Sequence, residues 1–440
     1  MIRDTPSDES WSIWPSYTED ELDAADYLTE HRRILQTIAE HYGQERLELG
    51  FQKVCKTLLD RDAVATNEIP DLRFSDLRSL TDEQRQQVKK AGCMVIRGIV
   101  DDAEVNELFA ELKQYLSDND GVVTGAPPYN PCMKRIYWAK LQVLLRASPN
   151  QLAAQEWVNR LWTDSSGETD LDEVCRPLTY ADALRISAPK TRMETLGPHI
   201  DSGSLARWGS NTYREAYDAV FKGVPEELDM YDLALRKNAE VGKYLPMTHD
   251  KIFRGFQGWT ALTSIGNDRS GLFVRPYPQE TIAYVLLRPF FRPTKSPSDD
   301  GYLDPQSWKF DIDHTSFPGT VGGNSQMVSA ARHPHLNLQR TFVSIPDLAA
   351  GDVVFWHCDL IHAIGIEHNG DQESAVAYIP ACHSTNSNIN YVRNQAEFFK
   401  RGLAPQDFHQ IKGTCDETKL RGYPGGVNLL SEAGKRALQV

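Results

Sequence analysis

A series of short apolar or alternating runs, separated by turn residues, lies between residues 181 and 379 and limits the folds that this chain can adopt. These runs are five to eight residues long and span 181–187, 258–265, 271–275, 281–287, 341–345, 352–356 and 374–379. Runs of this length, bounded by Gly, Pro, Asn, Asp or Ser, predict β-strands. Many short strands joined by such turns are typical of a sandwich or a barrel.

Helical patterns dominate the chain before these strands. Apolar positions recur at helical spacing over residues 18–61, with an interruption at Gly43. Thr81 and Gln84 form the pattern of a capping box, and Asp101 or Asp102 begins a further amphipathic helix. Residues 136–162 also have a helical and aromatic pattern.

The fold class predicted from these patterns is mostly β with α: a double-stranded β-helix core, of jelly-roll or cupin-like type, wrapped by N-terminal helices and helical insertions. We predict an N-terminal helical extension over 1–70 and the core domain over 71–440. Insertions are expected at 205–250, where 213–241 has a helical pattern, and at 293–337, which is irregular. Because long loops inside a compact domain are usually functional, either insertion is a candidate lid.

Composition excludes several classes of partner. The formal net charge of −14 argues against nucleic acid and anionic membranes, which both require a basic face, but it leaves room for a basic pocket that takes a small carboxylate. No apolar run has membrane-spanning length, and the polar, acidic N-terminus does not resemble a targeting signal. The seven cysteines are scattered without a Cys-x-x-Cys motif, which indicates free thiols in a reducing compartment, and we expect a cytoplasmic protein. No pattern indicates an oligomeric state.

Two His-x-Asp motifs are the candidate metal ligands. His199-Ile-Asp201 lies between a Gly-Pro pair and a Ser-Gly-Ser turn, where a strand opens into a loop, whereas His357-Cys-Asp359 leaves little chain to complete a barrel around it. His362 follows an apolar strand that begins at a Gly-Asp turn. Two imidazoles and one carboxylate on one face of an octahedron are the ligand set of non-haem iron(II) oxygenases. We therefore predict iron at His199, Asp201 and His362.

His357 and Asp359 are predicted to lie behind the metal ligands, where they would hold those ligands in place, or to serve packing. Zinc stays open as an alternative metal, since two histidines and one aspartate can also form an open zinc site. The sequence has no His-Glu-x-x-His, no Gly-x-Ser-x-Gly and no phosphate-binding glycine loop after a strand. His333-Pro-His335 is interpreted as a surface pair in a loop.

The chain also resembles the Fe(II)/2-oxoglutarate-dependent oxygenases of the phytanoyl-CoA dioxygenase type and, within that type, is similar to the YbiU-like proteins, a domain family of unknown function. The segments that carry the resemblance are 198–204, 256–259, 287–291, 334–336, 351–362, 378–380, 390–402 and 405–408. The resemblance implies a distorted double-stranded β-helix, iron at the three residues above, and 2-oxoglutarate and dioxygen as co-substrates.

One departure from that family concerns the co-substrate. Phytanoyl-type oxygenases usually carry, on the strand after the distal histidine, an arginine that binds the far carboxylate of 2-oxoglutarate, but residues 370–378 contain no basic residue. Arg288 and Arg340 are the predicted replacements, because arginine is the preferred bidentate partner of a carboxylate, with Gln257 as a neutral donor. Arg207 and Trp208, close after the ligand pair, are the predicted substrate anchors.

The predicted function is that of an Fe(II)/2-oxoglutarate-dependent dioxygenase. It would oxidise an unactivated C–H bond of a small molecule, for which a small amino acid or a specialised metabolite is the favoured class, by hydroxylation, ring closure or desaturation. Two alternatives stay open: a metal-binding jelly-roll protein without oxygenase activity, and an iron oxygenase that does not use 2-oxoglutarate.

Overall fold

The structure is a computed structural model, and it describes residues 25–62, 69–125, 132–192, 197–201, 205–239, 252–313, 317–320, 325–409, 411 and 413–440. Its α-helices are α1 (Ala25–Tyr42), α2 (Gln44–Asp62), α3 (Asp82–Ala91), α4 (Asp102–Asp118), α5 (Lys140–Ala147), α6 (Pro149–Asn159), α7 (Leu171–Val174), α8 (Ala206–Gly209), α9 (Asn211–Glu215), α10 (Asp218–Phe221), α11 (Leu233–Arg236), α12 (Pro278–Leu287), α13 (Leu338–Thr341), α14 (Asn386–Lys400) and α15 (Glu432–Leu438).

The strands are mostly short. They are β1 (Asp71–Arg73), β2 (Cys93–Arg97), β3 (Met133–Lys134), β4 (Pro177–Leu178), β5 (Leu184–Ser187), β6 (Thr191–Arg192), β7 (His199–Ile200), β8 (Arg254–Ala261), β9 (Leu272–Arg275), β10 (Phe291–Pro293), β11 (Trp308–Phe310), β12 (Gln326–Met327), β13 (Val343–Ser344), β14 (Val353–His357), β15 (Ile361–Ile364), β16 (Glu367–His368), β17 (Ser374–Tyr378) and β18 (Ala381–His383).

Most strands belong to two large sheets. The first has the order β1-β2-β14-β8-β17-β5-β3, with β18 paired to β8 and β4, and the second has the order β12-β7-β15-β9-β13. All neighbours in these sheets are antiparallel except β1 and β2. The fold is therefore mixed α/β with large antiparallel sheets, as the strand pattern predicts.

A compact apolar layer joins the two sheets. Trp259, Val354 and Val376 from the first sheet belong to the same buried cluster as Leu272 and Val274 from the second. Because side chains alternate between the faces of a strand, membership of this cluster identifies which face of each sheet points inward. The inward faces carry the metal-site candidates described below.

The helical predictions are confirmed in part. Two helices separated by Gly43 are present, the Thr81–Gln84 capping box forms, and Asp101 caps α4 by accepting hydrogen bonds from the backbone N–H groups of Ala103 and Glu104. The predicted helical segments 136–162 and 213–241 are instead broken into shorter helices, at a Ser-Pro step between α5 and α6 and at several turns between α9 and α11. The chain before residue 25 and residues 240–251 lie outside the described part.

One predicted strand is wrong. Residues 281–287 lie in helix α12, whose first residue is Pro278. Proline at the first helical position is pre-set for a helix. The helix is buried from Thr281 through Leu287 and packs against α2. A helix that is apolar on all sides has no amphipathic period, and a short apolar run of this kind cannot be distinguished from a buried strand by its pattern.

The Gly351-Asp352 turn fixes the start of β14. Gly351 has φ +86°, and a Cβ atom there would lie 2.1 Å from the carbonyl oxygen of Val100, so only glycine fits. The Asp352 carboxylate accepts hydrogen bonds from the backbone N–H groups of Gly98 and Ala349. This turn sets the register of β14 and, after the short connection that follows it, of β15.

In the described part of the chain, no helix combines the length and apolar character needed to cross a membrane. All seven cysteines are free thiols, as the scattered spacing predicts.

Candidate metal centre

The first histidine and the distal histidine lie side by side on neighbouring strands. His199 on β7 is the direct antiparallel partner of His362 on β15, and the centroids of their rings are 4.3 Å apart. Directly opposed residues in an antiparallel pair point to the same face. The pairing therefore brings together two imidazoles that are 163 positions apart in the sequence.

Asp201 completes the group, two residues after His199. Its Oδ1 is 3.2 Å from Nε2 of His199 and its Oδ2 is 3.6 Å from Nε2 of His362. One ligand atom from each of the three residues lies within 4.8 Å of the other two. The histidine side chains are almost fully buried, whereas the Asp201 side chain is 30% exposed. The centre is thus closed on the histidine side and open beside the carboxylate.

Backbone carbonyl groups orient both imidazoles. Nδ1 of His199 is 2.7 Å from the carbonyl oxygen of Gly197, and Nδ1 of His362 is 2.9 Å from that of Leu360. A carbonyl can only accept, so each Nδ1 carries a proton, and in the neutral imidazole the lone pair then lies on Nε2, the atom that faces Asp201. This is the usual arrangement of histidines that bind a metal.

The Asp201 carboxylate is held by neutral donors as well. Nε2 of Gln257 donates to Oδ2 and Oγ of Ser325 donates to Oδ1, both at 3.0 Å. Burial by itself would raise the pKa of Asp201, but hydrogen bonds from His199 and His362, and the positive charge of these rings when they are protonated, outweigh burial and hold that pKa well below its usual range. Burial, followed by the neighbouring His199, lowers the pKa of His362. The anionic carboxylate and neutral imidazole are the forms that bind a metal.

The second His-x-Asp motif serves a different role. Asp359 is fully buried and forms ion pairs with Arg207 at 3.2 Å and with Arg236 at 2.7 Å, and it also accepts a hydrogen bond from the Tyr217 hydroxyl. Nδ1 of His357 accepts from the backbone N–H of Asp359, and its Nε2 is 2.9 Å from the carbonyl oxygen of Met230. The polar atoms of this motif are therefore already engaged within the protein.

Arg207 connects this motif to the metal centre. Its Nη2 donates to the backbone carbonyl of Asp201 at 3.1 Å and also contacts Oδ1 of Asp359. Trp208, beside it, is buried, donates to the carbonyl of Leu286 and packs edge-on against Phe317. The described contacts of both side chains are thus made inside the protein.

The remaining sequence candidates lie in different surroundings. Gln257 is brought to the centre, as described above, whereas Arg288 is buried and donates to the backbone carbonyls of Arg332 and Phe291. Arg340 is exposed to solvent on α13. The interpretation of His333 and His335 as surface residues is wrong, because both are buried. His335 is held between the Tyr284 hydroxyl and the carbonyl of Leu303.

Sequence reasoning missed Arg185. This residue is buried on β5 and its guanidinium lies 4.9 Å from the ring centroid of Trp259. Its signal was present in the sequence, as a charged residue between Leu184 and Ile186 in the run 181–187. Arginine is rarely fully buried unless it has a partner, so its position in a predicted core strand marks it for attention.

Comparison with known proteins places the chain in a family. A family model described as Gig2-like matches residues 24–440. The uncharacterised protein YbiU of Escherichia coli K12 is 33% identical over 420 residues, which cover 89% of this chain and 93% of YbiU.

Two crystal structures are similar over almost the whole length. GlcNAc Inducible Gene 2 of Candida albicans is 25% identical with a TM-score of 0.77, over 94% of this chain and 88% of that one. A Salmonella typhimurium LT2 protein, named provisionally as an oxidoreductase, is 28% identical with a TM-score of 0.77, over 94% and 98%. The resemblance to the YbiU-like proteins is thereby confirmed, and the chain belongs to the Gig2-like family.

Proposed function

We propose that this protein is a non-haem Fe(II)/2-oxoglutarate-dependent oxygenase that oxidises a C–H bond of a small molecule. The observation that carries the proposal is the direct cross-strand pairing of His199 with His362, with Asp201 within 3.6 Å of both imidazole Nε2 atoms. Two neutral imidazoles and one carboxylate on one side of a centre leave the other positions for a co-substrate, a substrate and dioxygen. The relative named provisionally as an oxidoreductase is consistent with this class.

The strand order supports the double-stranded β-helix that such a site requires. In chain order, β5, β8, β14 and β17 enter the first sheet, and β7, β9, β13 and β15 enter the second. The chain thus crosses between the sheets repeatedly, and the two central orders, β5-β17-β8-β14 and β7-β15-β9-β13, have the nested arrangement of a jelly roll. We propose this description for the core.

Iron is the metal that we propose for the centre. The three donors fit the facial arrangement of two histidines and one carboxylate that is typical of iron(II) oxygenases. Zinc would accept the same donors, and a comparison of the two metals in the succinate assay distinguishes them. When bound, the iron and a 2-oxo acid would supply oxidative decarboxylation coupled to C–H oxidation by dioxygen.

The roles of the protein side chains follow from their contacts. The carbonyls of Gly197 and Leu360 hold the imidazoles in their metal-binding tautomer, and Gln257 and Ser325 fix the Asp201 carboxylate. The apolar layer between the sheets would exclude water from the reacting groups. Since Arg207 is used in the ion pair with Asp359, we propose that it positions Asp201, and that the substrate approaches on the exposed side of that carboxylate.

Succinate formation tests this proposal. We expect metal-free protein supplied with Fe(II), 2-oxoglutarate and dioxygen to release succinate, slowly even without a substrate, because 2-oxo acid decarboxylation can run uncoupled from C–H oxidation. The same protein loaded with Zn(II) is the matched control and should release none, since zinc is not redox-active. Equal succinate with either metal, or none with iron at saturating 2-oxoglutarate, would contradict the proposal.

A further inference from the structure

The layer between the two sheets contains hydrogen-bond donors that the described residues leave without acceptors. Nε and Nη1 of Arg185 are buried and have no partner among the described residues, and the same holds for Oγ of Ser270 and for Nε1 of Trp259 and of Trp356. A buried polar group without a partner is costly and calls for an explanation, of which an unrecognised ligand is one. Several such donors in one layer indicate a ligand rich in acceptors.

These hydrogen-bond donors lie close to one another. The third guanidinium nitrogen of Arg185, Nη2, donates to the carbonyl of Ser270 at 3.3 Å, so the unpartnered Ser270 hydroxyl belongs to a residue that Arg185 contacts. The Arg185 guanidinium lies over the ring of Trp259, which in turn is 5.6 Å from the ring of Trp356. Trp356 is 5.2 Å from the ring of His362, a candidate metal ligand. The donors thus extend from Arg185 to the metal centre.

Strand register places Arg185 on the same face as the residues at the centre. On β17, Val376 is opposite Arg185 on one side and Ala261 on the other, and Tyr378 is opposite Trp259. Directly opposed residues and alternate residues of one strand share a face. On β8, Gln257, Trp259 and Ala261 are alternate residues and therefore point to one face. Arg185 projects from that same face, on which Gln257 contacts Asp201.

One strand, β17, lies between β5, which carries Arg185, and β8, which carries Gln257. Tyr378 on β17 is directly opposite Trp259 and shares this face. Arg185 and the side chain that contacts Asp201 therefore lie two strands apart on one face. A short ligand with a polar group at each end is the kind that would bridge them.

Arg185 carries a charge that the described residues do not balance. Among the described residues no carboxylate forms an ion pair with it, in contrast to Arg207 and Arg236, which share Asp359. Burial lowers the pKa of Arg185, which indicates a charged form that lacks compensation. Buried charges are normally paired, so the missing partner is an anion.

We propose that Arg185 binds the far carboxylate of a dicarboxylic 2-oxo acid whose other end binds at His199, Asp201 and His362. The proposal rests on the proposed function and assigns its co-substrate specificity to one residue. The guanidinium fork would form two charge-assisted hydrogen bonds to the carboxylate, and the Ser270 hydroxyl would supply a further donor. Because Arg185 is directly opposite Val376 on β17, it stands one strand away from the segment 370–378 that contains no basic residue.

The test compares two 2-oxo acids that differ only in the far carboxylate. Binding of 2-oxoglutarate and of 2-oxopentanoate to the Fe(II)-loaded protein would be measured without oxygen, from the quenching of tryptophan fluorescence. We expect the wild type to prefer 2-oxoglutarate by about 100-fold or more, since truncating one partner of a buried charge pair typically has an effect of this size. Arg185→Met should lose this preference, and Arg401→Met, a matched control at an exposed residue, should keep it.

Metal affinity, measured by calorimetry in the same variants, distinguishes a failure of the role proposed for Arg185 from a failure of the proposed function. Unchanged 2-oxoglutarate affinity in Arg185→Met with normal iron binding would overturn the role of Arg185 and leave the proposed function intact. If the wild type binds no iron, the proposed function fails. Glutarate binding then shows whether Arg185 binds a carboxylate, because glutarate has no keto group with which to chelate a metal. Glutarate binding that is lost in Arg185→Met would support the anion site, and its absence in the wild type would overturn it.

Removing the unpaired charge should leave the free protein folded, because a buried charge without a partner favours the unfolded state. If Arg185→Met nevertheless fails to fold, Arg185→Lys serves instead. It keeps the charge but loses the planar fork, so we expect its affinity for 2-oxoglutarate to fall about tenfold. An affinity equal to that of the wild type would overturn the proposal.

Discussion

His362→Ala is expected to lose Fe(II) binding, with a dissociation constant raised by more than about 100-fold, because removal of an outer partner of a metal ligand alone typically costs 10–100-fold. His362 is paired with His199 and supplies one of the three ligands. Its removal would leave the metal with only Asp201 and the imidazole of His199. Calorimetric titration with Fe(II) under anaerobic conditions measures the effect. Succinate formation should fall in parallel.

The matched control for this variant is His41→Ala. His41 lies exposed in the last turn of α1, and its removal should leave the iron affinity unchanged. An iron affinity in His362→Ala within a few-fold of the wild type would remove His362 from the metal centre.

Asp359→Asn is expected to destabilise the protein by about 3–5 kcal/mol, the usual cost of leaving a buried charge without its partner. Asp359 is the shared carboxylate of Arg207 and Arg236, and all three side chains are almost completely inaccessible to solvent. Asparagine keeps the shape but leaves two buried guanidinium groups without an anion. The free energy of unfolding, measured with urea, gives the size of the effect.

Asp172→Asn is the control, because the Asp172 side chain is 78% exposed although it forms an ion pair with Arg160 at 2.8 Å. An exposed pair contributes less than about 1 kcal/mol. Similar stability losses in both variants would contradict the special role of Asp359.

The pH dependence provides an independent readout for Asp359→Asn. Burial by itself would raise the pKa of Asp359, but Arg236 and Arg207 outweigh burial and hold it well below its usual range. A depressed native pKa means that the advantage of the wild type is complete above the unfolded pKa of about 4 and is lost as the pH falls below it. A stability difference that does not change between pH 7 and pH 3 would contradict this origin.

The ion pairs of Asp359 with Arg207 and Arg236 also connect the stability of the protein to the geometry of the metal centre. Arg207 contacts both Asp359 and the backbone carbonyl of Asp201, so the position of one metal ligand depends on an ion pair in the protein interior. The placement of a ligand by groups that do not touch the metal is common in metal centres. Folded Asp359→Asn protein should accordingly also bind iron more weakly.

The grouping of His199, Asp201 and His362 could be predicted from the sequence because its signals are local. A His-x-Asp motif at a strand end and a histidine after a strand that begins at a Gly-Asp turn are each contained in a few residues. The strand pattern likewise predicted β5, β8, β9, β14 and β17, and the capping residues predicted the starts of α3 and α4.

What could not be predicted depends on neighbours that are distant in the sequence. Arg185 is relevant only because β5 lies beside β17, which aligns Arg185 with Val376, and no local pattern encodes that pairing. The helical state of residues 281–287 depends on burial against α2, and the burial of Arg288 depends on distant neighbours such as Arg332, whose carbonyl it contacts. Tertiary context, rather than propensity, decided each of these cases.

If His199, Asp201 and His362 bind one iron ion that also binds a 2-oxo acid, an anaerobic titration of the protein with Fe(II) in the presence of 2-oxoglutarate will show the complex by its visible absorption. A weak charge-transfer band that saturates at one iron per chain, and that is absent in Asp201→Ala, is the predicted result. A wild-type protein that shows no such band, or an undiminished band in Asp201→Ala, would contradict this assignment of the metal ligands.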